Sequence, residues 1–186
     1  YVAELYERVS DVAKGAALMT GTKVSYRTVS AYADLLSVPA MEELMMEAMQ
    51  EAEKPEYADD DYEYAARFAA DQASPSIDTT ILPADQSINL GSTDVGDVSW
   101  QVPTGLIGVT TEAAGCALHT WQIVAQGKSP LAHKGMHYAA RILFTAAKQL
   151  YSSPELCEHI QADYQQQKGK RRYRSMLPDS VKPGDF

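Results

Sequence analysis

Ala17-Leu18-Met19-Thr20-Gly21-Thr22-Lys23-Val24-Ser25-Tyr26-Arg27-Thr28 is the stretch on which the fold reading turns. Ahead of Gly21, Val2, Leu5, Val9, Val12, Ala16 and Met19 recur every three or four residues, which places them on one helical stripe. Beyond it, Val24, Tyr26 and Thr28 alternate with Lys23, Ser25 and Arg27. Period two with β-forming residues predicts a strand with one wet face. Gly21 suits the left-handed residue that closes a helix. Helix, glycine turn and strand together read as the closing piece of a small α/β unit whose first strands lie outside this sequence. The chain opens on Tyr1 inside that helical pattern, with no leader-like apolar segment, so an interior start within a longer protein is expected.

Working outward, a second helix is predicted from Pro39, with Ser37 as its N-cap and Met41, Leu44, Met45, Ala48 and Met49 as a core-facing stripe. From Glu42 to Glu63 there are ten acidic residues and a single base, Lys54. That segment lacks the glycine-containing spacing of a calcium loop and reads as a solvated flank. Residues 61–73 have helical spacing, and 74–90 are turn-rich. Leu106–Thr110 is a short apolar run expected to be a buried strand. Ser129-Pro130 opens a long apolar helix to about Tyr151, and Ser153-Pro154-Glu155 opens another to about Gln167. A basic stretch, Lys168 to Arg174, precedes a tail that reads as solvated.

Composition narrows the classes. The 186 residues carry 16 Lys+Arg against 25 Asp+Glu, a net charge of −9, which argues against a general nucleic-acid or anionic-membrane surface. No apolar run approaches the roughly 18 residues of a membrane span. Two cysteines are too few for a disulfide scaffold, so a reducing, cytoplasmic setting is expected.

Candidate chemistry gathers between residues 91 and 135. His119 follows an apolar run and a glycine-containing turn, a place where functional groups are often presented. It reads either as a metal ligand or as a hydrogen-bonded structural histidine. Cys116 lies three residues before it, but no base or orienting group makes it a thiol nucleophile. His133 and His137 share a helix face at i, i+4, without the intervening glutamate of a zinc-protease helix. His159 sits among polar residues. Asp94 and Asp97 lie one helical turn apart; Ser92, Thr93 and Asp94 all suit an N-cap, so capping or organisation of a substrate loop is preferred to metal ligation. Gly91, Ser92 and Gly96 would let backbone amides approach an anion such as a substrate carboxylate.

The series Gly91-Ser92-Thr93-Asp94-Val95-Gly96-Asp97-Val98-Ser99-Trp100, Leu118-His119-Thr120-Trp121-Gln122 and Ala132-His133-Lys134-Gly135-Met136 resembles the dinuclear metal amidohydrolases related to aminoacylase and carboxypeptidase G. It is most like their subgroup acting on aminobenzoyl-glutamate. The resemblance runs through most of residues 1–150. It implies an α/β fold: the C-terminal half of a catalytic domain with a mixed sheet flanked by helices, plus the closing helix and strand of an inserted lid domain. Residues 1–28 would end the lid, 29–151 would form the catalytic part, and 152–186 the terminal helix and tail. The activity implied is hydrolysis of the amide bond of an N-acyl amino acid such as aminobenzoyl-glutamate. Two divalent ions, zinc or manganese, would hold a bridging water that attacks the carbonyl while a glutamate moves the proton. His119 aligns with the last metal ligand of the family. Gly91, Ser92, Asp94 and Asp97 align with a loop bordering the substrate. The remaining ligands and the general base have no counterpart here, since Glu42-Glu43 lies on a helix flank. Alone, the chain is therefore expected to be inactive, contributing His119 to a site completed by the missing N-terminal half of a longer enzyme, with a homo-oligomer or a paralogous subunit as the expected assembly. A non-catalytic partner subunit is the alternative, and a metal-free acidic structural domain the third reading.

Overall fold

A computed structural model describes residues 1–69, 75–84 and 91–181. The described residues form seven helices, numbered in chain order: α1 Val2–Thr20, α2 Pro39–Glu51, α3 Asp59–Ala66, α4 Val95–Ser99, α5 Trp121–Gln126, α6 Pro130–Ser152 and α7 Pro154–Lys168. They group into two compact units. The first comprises Tyr1–Leu36, Leu90–Gln101 and Lys170–Phe186, and the second Ser37–Asn89 and Val102–Gly169.

The expected α/β class, with a mixed sheet, is not what forms. Among the described residues there is no strand, and residues 24–28 and 106–110 belong to no regular element. Neither the strand predicted over 24–28 nor the buried strand predicted over 106–110 forms, and Leu106 is 54% exposed. A strand needs a neighbour at hydrogen-bonding distance, and even an isolated two-stranded pairing is marginal in water. Residues 24–28 instead lie along a flank of α1, where Tyr26 meets the Tyr6 ring edge-on at 6.3 Å and the Tyr6 and Thr28 hydroxyls are 3.1 Å apart. Residues 103–111 are pressed between helices. A Cβ built on Gly105 would come within 2.6 Å of the Met45 side chain, and one on Gly135 of α6 would come within 2.1 Å of the Thr110 carbonyl oxygen.

The second unit has the larger core. α6 packs against α2, α3 and α7, and α2 also meets α7. Val38, Leu44, Ala48, Leu131, Ile142, Ala146, Ile160 and Tyr164 are buried there. The methionine stripe of α2 faces inward as its spacing predicts, with Met45 buried and both Met41 and Met45 against Gly105. Helix ends follow local chemistry. Gly21 closes α1 at φ 66°, and the Ser129 and Ser153 hydroxyls accept from Ala132 and Leu156 N–H groups at 3.0 and 3.2 Å. α2 departs from expectation: its N-cap is Val38, while Ser37 bonds the Glu42 carboxylate. A distant carboxylate serves the helix start instead, as Asp163 of α7 accepts from the Ala40 N–H at 2.9 Å. α3 covers only the beginning of the helix expected over 61–73; residues 70–73 lie outside the described residues, as do 74 and 85–90 of the expected loop.

The first unit is held by polar staples more than by a core. Trp100 is buried and donates its indole N–H to the Asp34 carbonyl at 2.9 Å. Ser99, also buried, accepts from Leu36 N–H at 2.9 Å and donates to Gly96 O at 2.6 Å. The apolar stripe of α1 remains exposed, and its buried residue is Ser10. No described helix is long and apolar enough to cross a membrane.

Candidate functional site

His119 occupies the loop between segment 103–111 and α5. Two residues bend the chain there into the left-handed region, Gly115 at φ 75° and His119 itself at φ 61°. Among the described residues His119 is the one non-glycine with such a φ. A β-carbon makes that conformation costly, of order 1–3 kcal/mol, so it persists only where the surroundings impose it. The surroundings are visible. The Thr120 hydroxyl donates to the Ala117 carbonyl at 2.8 Å, closing the turn around His119. Gln126, fully buried at the end of α5, grips the base of the loop. Its Oε1 accepts from Ala113 N–H at 2.8 Å, and its Nε2 donates to Gln122 O at 3.1 Å and to Cys116 Sγ at 3.4 Å. The Cys116 thiol in turn donates to Phe68 O at 3.3 Å. The result is an exposed imidazole on a clamped base, between exposed Leu118 and Trp121.

Cys116 is therefore a structural thiol. Gln126 escaped the sequence reading because a glutamine in a short helix carries no local signal; its role appears only when the loop folds back onto α5.

The other candidates belong to the first unit, so His119 and the Asp94–Asp97 turn are described separately. Gly91, Ser92 and Asp94 are exposed. Asp94 is the N-cap residue of α4 but no side chain caps the helix; the Thr93 hydroxyl accepts from Val95 N–H at 3.3 Å in a local turn. Asp97 is committed to structure, because one carboxylate oxygen accepts from Ala33 N–H at 3.3 Å and the other from the Tyr173 hydroxyl at 2.8 Å. The hydrogen bond to Asp97 raises the Tyr173 phenol above its ordinary value. Gly96 answers a packing need, since a Cβ there would sit 2.0 Å from Ala33 O. The tail, read as solvated, is tied down through Tyr173 and through Arg171, whose guanidinium lies 4.9 Å from the Trp100 ring centre.

His133 and His137 are exposed on α6, and His159 is exposed on α7. One acidic residue of the 42–63 stretch is far from solvated. Asp61 is buried, accepts from Ala58 N–H at 2.8 Å and pairs with Lys134. Burial pushes its carboxyl up, but the Lys134 and Ala58 hydrogen bonds and the Lys134 charge outweigh it and hold the group below the usual carboxylate range. Three consecutive aspartates hid which one turns inward.

Among the described residues, no three His, Cys, Asp or Glu side chains converge to hold a metal ion. A lone imidazole does not fit a dinuclear site, so these residues do not by themselves constitute the metal centre that the resemblance implies.

The likeness to a class of hydrolases read from the 91–136 motifs extends over nearly the whole chain. The sequence is 29% identical over 211 aligned residues to a p-aminobenzoyl-glutamate hydrolase subunit of Escherichia coli (strain K12), a match covering 98% of this chain and 44% of that protein. The chain is thus close to that protein's family and spans less than half of the relative's length. No family model matches the sequence, and no solved structure matches it.

Proposed function

We propose that this chain is one part of a hydrolase that cleaves the amide bond of N-acyl amino acids such as aminobenzoyl-glutamate, and that it contributes His119 to a divalent-metal site completed by another polypeptide segment. The observation carrying this reading is the similarity along 98% of the chain to a subunit of a p-aminobenzoyl-glutamate hydrolase. The left-handed, clamped presentation of His119 supports it, since strain of this kind concentrates at functional positions. In this reading His119 supplies one neutral imidazole nitrogen to zinc or manganese, and Gln126 holds the loop that carries it. The domain reading follows: residues 1–28 as the end of a lid, 29–151 as catalytic-domain structure and 152–186 as terminal helix and tail, in a cytoplasmic oligomer. Gly91, Ser92 and Asp94 remain candidates for contact with substrate. Asp97 would act there only through the backbone and tail that it positions.

The alternative is a non-catalytic partner subunit, in which His119 serves no metal. Co-expression with a polypeptide equivalent to the rest of the relative separates the two. The hydrolase reading predicts release of aminobenzoate and glutamate, lost with loss of bound metal in His119→Ala. Metal content and turnover unaffected by that substitution would leave the partner reading.

A further inference from the structure

Helix α6 has two apolar faces, and one of them is uncovered. Leu131, Gly135, Ile142 and Ala146 are buried, on the side by which α6 packs into its unit. Met136, Ala140, Leu143, Phe144, Ala147 and Tyr151 recur on the opposite side at spacings of three and four, within an arc of about 100°. Met136 and Leu143 are exposed there, Phe144 is 71% exposed and Tyr151 92%. Residues at these spacings are surface neighbours, so the strip is continuous over about 22 Å. Its two rings alone leave on the order of 300 Å² in water, comparable to the largest apolar patch on a typical monomer. A surface helix carries polar residues on that side; a helix apolar on both sides is an inner layer of a larger body.

Charge defines what can cover the strip. The 23 residues of α6 include no Asp or Glu. Lys134, Arg141 and Lys148 follow one edge of the strip. Lys134 and Arg141 meet Asp61 and Glu53 within the unit, and Lys148 is exposed. The complementary surface is therefore apolar along its middle, with a carboxylate at the edge facing Lys148. Two-fold pairing with a second copy would set α6 against α6, which offers no carboxylate. No described helix is long and apolar enough to cross a membrane, and a net charge of −9 disfavours an anionic lipid surface. A further polypeptide fits, and the similarity supplies a source: the hydrolase subunit matched along 98% of this chain is matched over 44% of its own length.

We propose that the outer face of α6 is the docking surface for the polypeptide equivalent to the unmatched part of that relative, so that α6 becomes an internal layer of the complete protein. The proposal rests on the reading of this chain as one part of a hydrolase and names the surface through which the parts join.

The test co-expresses the full chain with that polypeptide and compares hydroxyl-radical footprints of the complex and of the chain alone. Oxidation at Met136, Phe144 and Tyr151, read by mass spectrometry, should fall about fivefold or more in the complex. Leu143→Gln/Phe144→Gln should weaken association at least tenfold in sedimentation, with the urea midpoint of the isolated chain unchanged, because both side chains are exposed in it. Lys148→Glu should weaken association less, by about threefold. No association, a face as oxidised in the complex as in the free chain, or association indifferent to the double substitution would overturn the proposal. So would a dimer of the chain alone that Phe144→Gln dissolves, or binding to phosphatidylcholine vesicles that the double substitution abolishes, since these assign the face to a second copy or to lipid. The footprint is read on the parent chain and decides the question even if the double variant fails to fold. Protection without hydrolysis of p-aminobenzoyl-glutamate sinks only the hydrolase reading, and hydrolysis with an unprotected face sinks only this proposal.

Discussion

Helices α1 and α2 carry the same kind of sequence pattern and meet opposite fates. Each has apolar residues at spacings of three and four along one stripe. In α2 the stripe is covered, with Leu44 2% and Ala48 0% exposed. In α1 it stands in solvent, with Val9 65% and Val12 71% exposed, while the flank that does pack presents Ser10 and Tyr6. Periodicity therefore identifies a helix and a face that gains by burial, but it does not supply the partner. For α2 the partners are α6 and α7 within the same unit. α1 has 24–28 along one flank and leaves its stripe uncovered.

If that contrast is right, the largest effect belongs to the second unit. Ile142→Ala should lower its unfolding free energy by about 2–5 kcal/mol in urea titration, since the side chain is fully buried on α6. Full retention of stability would mean that this core is not the one holding the unit. Next comes Gly135→Ala, whose new methyl would meet a backbone carbonyl that has little room to retreat; a loss of about 1–3 kcal/mol is expected on the same titration, and a gain from helix propensity would show the 103–111 segment to be loosely held.

A pH effect should follow. Asp61 is held below its ordinary value, so the stability it contributes is complete above about pH 4 and drains away as pH falls through the lowered folded value. Asp61→Asn should flatten that acid limb and, at neutral pH, cost on the order of 1–3 kcal/mol by weakening the hydrogen bonds from Ala58 N–H and the partly exposed Lys134. An acid limb identical to the parent's would remove the pair from the account. The smallest effect is expected in α1, where Val9→Ser should change stability by less than about 0.5 kcal/mol. A loss comparable to that of Ile142→Ala would show the α1 stripe to be covered in solution, and would erase the contrast with α2.

Helices were the legible part of this fold. Gly21, Ser129-Pro130 and Ser153-Pro154 mark their ends by local stereochemistry, and the structure follows each. The sheet was not legible, because strand formation depends on a neighbour that the local pattern at 24–28 or 106–110 cannot specify. At the candidate site, His119 stood out by its context, whereas its left-handed backbone, the Gln126 clamp and the commitment of Asp97 to Ala33 and Tyr173 all arise from contacts across the chain. Asp94 and Asp97 looked equivalent in sequence. One is exposed and the other binds two partners, because only Asp97 turns toward the segment at Ala33.

The central claim is that His119 serves a hydrolytic metal site shared with another polypeptide segment. Its most direct test is the rate of p-aminobenzoyl-glutamate hydrolysis, with metal content, by the co-expressed complex before and after His119→Ala. The account predicts turnover in the parent complex and a loss of at least a hundredfold, with loss of bound metal, in the variant. Equal turnover and equal metal in both would contradict it.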